Sequence, residues 1–388
     1  MDSFDVAIVG GGIIGTSIAF ELASVNFRVV VLDCQEPGLE SSWAAAGMLS
    51  PGPDAPSALP LVPLAKQSLR RYPEFVAAIE RASGKSTGLA RPGTLEIFTG
   101  PNAEQNRDRM LAQYRSLEIP IESLSADAAR RLEPSVGPEV RAAALLGEEA
   151  TIEPRALISA AIGACRNQGV TFATGIAVRS LLCDGNRSTG VLAGNEKIVA
   201  RFVVLAAGSF CGTLTENHGA PNSYSFAQFA PTHPVRGQML ALRSPNLKIA
   251  RVIRSENAYV VPRADGRLVA GSTLEHVGFQ KAVTAEGKQR ILTGVAQMVP
   301  ALASAEIVES WCGLRPGTPD NLPIIGPTEI EGLLVATGHY RNGILLAPAT
   351  ADIVRDLIAT GKTNFNIAPF SPERFSALQK EATAWRGA

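Results

Sequence analysis

The sequence predicts a mixed α/β protein in which a wound, mainly parallel sheet domain is interrupted by a largely antiparallel one. Three observations predict it. An apolar run, Asp5-Val6-Ala7-Ile8-Val9, leads into Gly10-Gly11-Gly12-Ile13-Ile14-Gly15 and an apolar helix. A second apolar run, Arg28-Val29-Val30-Val31-Leu32, ends in Asp33. Alternating strands with hairpin signals occupy 232–310, after which apolar runs and glycine turns resume. The first two observations make a strand–turn–helix–strand unit of Rossmann type.

Each glycine of that unit has a physical task. Gly10 permits the tight turn out of the strand, Gly12 leaves bare backbone for a phosphate to approach, and Gly15 lets the helix pack on the sheet. The helix N-terminus then points N–H groups and its positive dipole end at the anion. Asp33, roughly 20 residues past the glycines, stands where an acid accepts hydrogen bonds from a ribose. Such a unit binds a dinucleotide without distinguishing NAD from FAD. The next segment, Ser41-Ser42-Trp43-Ala44-Ala45-Ala46-Gly47-Met48-Leu49-Ser50-Pro51, crowds small residues beside two hydroxyls. Small side chains admit a flat ring or a phosphate, and serine hydroxyls bond phosphate oxygens; an alanine-rich helix start reads equally well.

The remaining elements follow in order. A helix is expected over 64–83 and an alternating strand over 93–99. Thr151-Ile152-Glu153-Pro154-Arg155 opens a helix, with Pro154 suited to a first turn, and Gly169 ends it. Strands follow at 170–173, 177–182, 190–193 and 202–205, the last running into the small-residue turn Ala206-Ala207-Gly208-Ser209. In a wound sheet such a turn lies at the carboxyl end, where ligands bind. Strands at 237–242, 258–262 and 267–271 read as antiparallel, with Asp265-Gly266 as a hairpin turn. A strand over 333–338, a turn and a helix from about Ile344 return to the first pattern, and 362–388 reads as a helix-bearing tail. The first domain is therefore assigned 1–85, 146–230 and 311–365, the second 86–145 and 231–310, and the tail 366–388.

Composition narrows the function. With 36 basic and 36 acidic residues, the chain offers no field for nucleic acid or an anionic membrane. The first residues, Met1-Asp2-Ser3-Phe4-Asp5, lack a basic leader, and the apolar stretch after them is broken by glycines, so neither a signal peptide nor a spanning helix is expected. The five cysteines, Cys34, Cys165, Cys183, Cys211 and Cys312, are scattered, which points to a reducing cytoplasm. The histidines His218, His233, His276 and His339 are equally dispersed, and no zinc site is expected.

Four stretches carry a family resemblance: Val9 to Gly15; Ser42 to Ser50; Trp311-Cys312-Gly313-Leu314-Arg315-Pro316-Gly317-Thr318-Pro319-Asp320 with Leu322-Pro323-Ile324-Ile325-Gly326-Pro327; and Gly338 to Pro348. Through them the chain resembles the D-amino-acid oxidase family of FAD-dependent oxidoreductases, and within it the glycine oxidases of the thiamine-biosynthesis type. The resemblance implies noncovalent FAD. It puts Gly10, Gly12, Ile13, Ile14 and Gly15 at the pyrophosphate and Asp33 and Cys34 at the ribose. Ser41, Ser42, Ala46, Gly47 and Met48 line the phosphates and flavin, Val178 lies at the adenine, and His339, Tyr340, Arg341, Asn342, Gly343, Ile344 and Leu345 run along the flavin's polar edge. The family more often carries glutamate at the ribose position, and Asp33 is shorter. Arg315 and Tyr259 are implied to hold a substrate carboxylate, with Arg341 and Met48 at the pocket wall. Asn257 stands where some relatives carry histidine. No catalytic acid or base is implied, because a neutral amine can surrender its α-hydrogen as hydride without one. The implied reaction takes glycine, or sarcosine or a small D-amino acid, to an imine and then glyoxylate. Oxygen becomes hydrogen peroxide, and the imine feeds thiazole formation. Relatives form tetramers. Three alternatives stay open: another oxidase or dehydrogenase of the same family, an NAD-linked dehydrogenase, which the C-terminal motifs oppose, and a flavin-binding subunit without catalysis.

Overall fold

The computed structural model describes residues 3–214, 223–224 and 226–375. Its first sheet has nine strands. The strand Phe4–Val9 pairs in parallel with Val29–Asp33 on one side and with the end of Glu196–Leu205 on the other. Thr171–Thr174 extends the parallel set beyond Val29–Asp33, and Leu333–Thr337 joins it beside Glu196–Leu205. The long strand Glu196–Leu205 serves two ladders. Its first half pairs antiparallel with Arg187–Ala193, and its second half joins the parallel set. The predicted parallel domain is therefore present, with an antiparallel flap on one edge.

Its core follows from the apolar content of the helices. Ile13–Ser24 is buried through most of its length, packed between the helices Pro154–Asn167 and Gly343–Thr360. A helix apolar on all sides belongs in an interior. Pro154 occupies the first turn of its helix, where its missing N–H costs nothing. Val62–Ser83 lays Leu64, Tyr72, Phe75 and Ile79 on this layer. Its Ser68 and Tyr72 hydroxyls donate to the carbonyls of Leu345 and Ile344 at 2.6 and 2.7 Å.

The second sheet has eight strands, in the order Glu306–Gly317, His233–Arg243, Leu268–Gly271, Tyr259–Pro262, Val252–Arg254, Thr94–Thr99, Val140–Leu146 and Glu122–Ser125. All pairs are antiparallel except Val252–Arg254 with Thr94–Thr99. The Asp265-Gly266 turn is a hairpin as expected, with Gly266 at φ +81°. One face packs under the helix Ala285–Met298, while the other gathers Met239, Tyr259, Val261 and Trp311 against Ala44 and Ala46 of the serine–alanine segment. That second cluster ties the two sheets together.

One expectation needs correction. Residues 311–317 do not belong with the parallel sheet. They continue the edge strand Glu306–Gly317, in register with His233–Arg243 from Arg243↔Glu306 to His233↔Gly317. At a sheet edge the missing donor of Pro316 is harmless. The described part of the tail carries two short 3-10 helices, Ala368–Phe370 and Pro372–Phe375; 376–388 and His218 lie outside the described residues. No helix among the described residues is long and apolar enough to cross a membrane, and none holds a cluster of three or more metal-ligating side chains.

Candidate active site

A cavity of about 390 Å³ runs from the glycine turn, along the carboxyl ends of the parallel strands, to the inner face of the second sheet. Its nucleotide-like end is built from backbone and small residues. Gly10 holds φ +109°, and a Cβ there would stand 2.5 Å from the Ala206 carbonyl oxygen. A Cβ on Gly15 would stand 2.0 Å from the Gly10 carbonyl oxygen, so helix and turn touch directly. Asp33 closes the turn. One carboxylate oxygen accepts from the Gly11 N–H at 2.8 Å and the other from the Gln35 N–H at 3.1 Å. Burial raises the Asp33 pKa, against the lowering by these two hydrogen bonds. The Ser42 hydroxyl accepts from the Ile13 N–H at 2.9 Å, and Ser41 donates to the Leu314 carbonyl. The serines thus fasten the turn and the second sheet as well as lining the cavity.

At the other end stands Arg315. It is largely enclosed by protein and lines the cavity wall. Its Nη1 donates to the Thr273 carbonyl at 3.1 Å and its Nη2 to the Ser272 hydroxyl at 2.8 Å. Among the described residues no carboxylate lies within ion-pairing distance of it. Gly237 makes the room: a Cβ there would lie 2.3 Å from both terminal nitrogens. Burial lowers the Arg315 pKa, and the nearby Arg341 lowers it further. Tyr259 is buried beside it, its hydroxyl directed to the Met239 sulfur at 3.2 Å. A Cβ on Gly271 would come within 2.6 Å of both that hydroxyl and that sulfur.

Between the two ends lie Ala46, Gly47 and Met48, whose strand Met48–Leu49 pairs with Ala150–Thr151. Gly47 holds φ +74°, and Arg263 donates to the Ala46 carbonyl at 2.6 Å. His339 is buried, with Nε2 3.1 Å from the Thr350 hydroxyl, and burial lowers its pKa to about 3. It is neutral near neutral pH. Tyr340, at φ +48°, turns the chain so that Arg341 reaches the cavity wall, where its Nη1 lies 3.2 Å from an Asp54 carboxylate oxygen.

The cavity thus brings together Gly10, Gly12, Ile13, Ile14, Asp33, Cys34, Ser41, Ser42, Ala46, Gly47, Met48 and Val178. Tyr259, Arg315, His339, Tyr340, Arg341, Gly343 and Ile344 also line it. Gly15, Asn342 and Leu345 do not. Gly15 packs against Gly10, Asn342 precedes the helix Gly343–Thr360, and Leu345 is in the core. Sequence reasoning missed Gln35, Glu40, Gly237, Met239 and Ser272 in the lining. Gly237 alone carried a signal, since a glycine inside a strand marks a close approach, and its cross-strand partner is Gly313.

The site fits an elongated dinucleotide: bare backbone at a helix N-terminus, an acid at the end of the second strand, and a cavity continuing past small residues to a cation. Residues 5–357 match the model of a family described as FAD dependent oxidoreductase. The chain belongs to this family of FAD-dependent oxidoreductases. It is 33% identical over 374 residues to the glycine oxidase of Geobacillus kaustophilus (strain HTA426), covering 96% of this chain and 97% of that one. Its structure matches the crystal structure of glycine oxidase from Geobacillus kaustophilus with a TM-score of 0.88 at 32% identity, over 96% and 98% of the two chains. It is also 34% identical over 384 residues to the bifunctional protein ThiO/ThiG of Trichormus variabilis (strain ATCC 29413 / PCC 7937). That match covers 98% of this chain and 56% of the other, so the chain spans little more than half of that relative's length.

Proposed function

We propose that the protein oxidises the carbon–nitrogen bond of a small α-amino acid, glycine foremost. The products are an imine, hydrolysed to glyoxylate and ammonia, and hydrogen peroxide from oxygen. The observation that carries this reading is Arg315, an enclosed guanidinium at a cavity wall without a carboxylate of its own among the described residues. Only two of its five N–H donors are engaged. A planar fork with free donors suits a carboxylate held by two parallel bonds.

The residues that would hold FAD are the backbone of Gly10 to Ile14, Asp33 with Cys34, Ser41 and Ser42, Ala46 to Met48, Val178 and the 339–344 turn. When bound, FAD supplies the two-electron oxidant and returns its electrons to oxygen. On this reading FAD is held noncovalently. Arg315 and the Tyr259 hydroxyl fix the substrate carboxylate, which orients the α-carbon; such positioning converts binding into rate. The Arg341 backbone carbonyl faces the amine. His339, its pKa lowered to about 3 by burial, cannot take a proton from an ammonium group near neutral pH, so the substrate amine must arrive neutral. The similarity to the ThiO/ThiG protein supports a further step, in which the imine feeds thiazole formation in thiamine synthesis. We place the enzyme in the cytoplasm, in keeping with five free thiols, and as a homotetramer, by its likeness to the glycine oxidases.

An aerobic peroxide screen over glycine, sarcosine, small D-amino acids and D-proline tests this reading. Peroxide from glycine with bleaching of a yellow protein in the absence of oxygen is expected. A flavin that no amino acid bleaches would reduce the protein to a flavin-binding subunit.

A further inference from the structure

Arg341 reaches the cavity on a turn with little freedom. The Tyr340 N–H donates to the Pro316 carbonyl at 3.1 Å, and the Asn342 N–H donates to the His339 carbonyl at 2.9 Å. Facing it is Asp54, on the segment Pro51-Gly52-Pro53-Asp54. The two prolines fix their own φ. Gly52 lies so close to Tyr114 that a Cβ would stand 2.0 Å from its hydroxyl. Two constrained segments thus hold Asp54 Oδ2 at 3.2 Å from Arg341 Nη1. It is the single ion pair of either residue among the described residues. The side chains are 38% and 50% exposed, so the pair adds little to stability. Its consequence lies in the charge count. Arg315 responds to both partners: after burial and Tyr259, Arg341 lowers its pKa and Asp54 raises it. Two guanidiniums line this end of the cavity and the Asp54 carboxylate is paired to one of them from outside the lining, so these three groups together carry the charge of one cation. One substrate carboxylate balances it. A second would find Arg341 occupied and a like charge beside it.

We infer that Asp54 is a specificity-determining residue, which restricts the site to amino acids with a single carboxylate by occupying Arg341 and repelling the second acid group of a dicarboxylate. For its substrates the inference rests on the amino-acid oxidase reading above; for its charge count it does not. A site that excludes by repulsion should lose selectivity when the repelling charge is removed, without new contacts being added.

The test has two arms on the FAD-loaded protein, each run with wild type, Asp54→Asn and Asp54→Glu. In the first, acetate and malonate are titrated calorimetrically, with no turnover involved. Wild type should prefer acetate. Asp54→Asn should shift the malonate-to-acetate affinity ratio by roughly tenfold toward malonate, and Asp54→Glu, which keeps the charge, should stay near wild type. In the second, kcat/KM is compared for glycine against iminodiacetate and D-aspartate, and the same shift of about tenfold is expected. A ratio that Asp54→Asn leaves unchanged, or that Asp54→Glu moves equally, overturns the inference. So does a wild type that already prefers malonate, or binding of neither acid. If wild type oxidises no amino acid, the proposed function fails while the acetate and malonate arm still decides the role of Asp54.

Discussion

At the glycine-turn end of the cavity, Asp33, Ser41 and Ser42 are hydrogen-bonded within the protein. Asp33 accepts from Gly11 and Gln35, Ser42 accepts from Ile13, and Ser41 donates to Leu314. At the far end, Arg315 makes two side-chain hydrogen bonds among the described residues, and the Asp54 carboxylate is turned to Arg341. At the first end the acid and the two serines are already bonded before any ligand arrives. That end recognises by shape and by what glycine leaves bare. The second end is unfinished in charge and recognises by what would complete it. A cofactor that stays bound suits the first plan, and a substrate that must come and go with each turnover suits the second.

The sharpest way to break this comparison is at the glycine turn. Gly15→Ala would drive a Cβ into the Gly10 carbonyl, backbone against backbone, and neither side can yield as a flexible side chain would. A loss of about 3 kcal/mol or more is expected. It should be read as a lower thermal midpoint and protein that purifies colourless. A yellow variant of unchanged midpoint would show that the turn tolerates what its geometry forbids.

At the other end, Arg315→Lys keeps the charge and loses the fork. Losing one charge-assisted bond should cost about 1.5–3 kcal/mol, or roughly 10- to 100-fold in kcat/KM for glycine. Flavin content should not change, since the nucleotide end is untouched. Stopped-flow flavin reduction by glycine without oxygen measures it. Equal rates and saturation curves for the two proteins would remove Arg315 from the substrate site.

Asp33→Ala should show the reverse split. FAD affinity should fall by roughly 10- to 100-fold from loss of the carboxylate's hydrogen bonds, while the reconstituted enzyme keeps its KM for glycine. Titration of the apoprotein with FAD reports the first quantity and steady-state kinetics the second. A raised KM with intact FAD affinity would exchange the roles assigned to the two ends.

The smallest effect concerns His339, between the ends. Its pKa falls from 6.5 to about 3 on folding. Above pH 6.5 neither state binds the proton. Below it the unfolded chain takes a proton that the fold refuses, so stability falls with pH across the window from 6.5 to about 3. Between pH 6.5 and pH 5 the cost should be about 2 kcal/mol, and His339→Gln should lack it. Denaturant unfolding at both values measures the difference. Parallel losses in wild type and variant would mean that His339 is protonated in the fold.

Much of this was legible in the sequence, unevenly and for a physical reason. The glycine turn, Asp33, the Pro154 helix start and the Asp265-Gly266 hairpin are decided within a few residues. Their cause is local: positive φ, a missing N–H, alternation of apolar residues. The family motifs also singled out Arg315, Tyr259 and Arg341 for the substrate end. Leu345, which the resemblance put at the flavin edge, has its side chain in the core, and which face of the Gly343–Thr360 helix meets the core is set by packing that local sequence does not report. Residues 311–317 were assigned to the first domain because their partner strand, His233–Arg243, is distant along the chain and nothing local names it.

The sequence by itself determined that a dinucleotide turn opens the chain, that a largely antiparallel sheet interrupts the parallel one, and which residue types line the cavity. Only the tertiary structure decided that Gly237, far from Arg315 in sequence, makes space for its guanidinium, that Thr273 and Ser272 orient it, and that Asp54 belongs to Arg341. Those are contacts between segments distant along the chain. Periodicity and turn chemistry act over a few residues, whereas the partner of a charge is fixed by which strands and loops the packed core brings together.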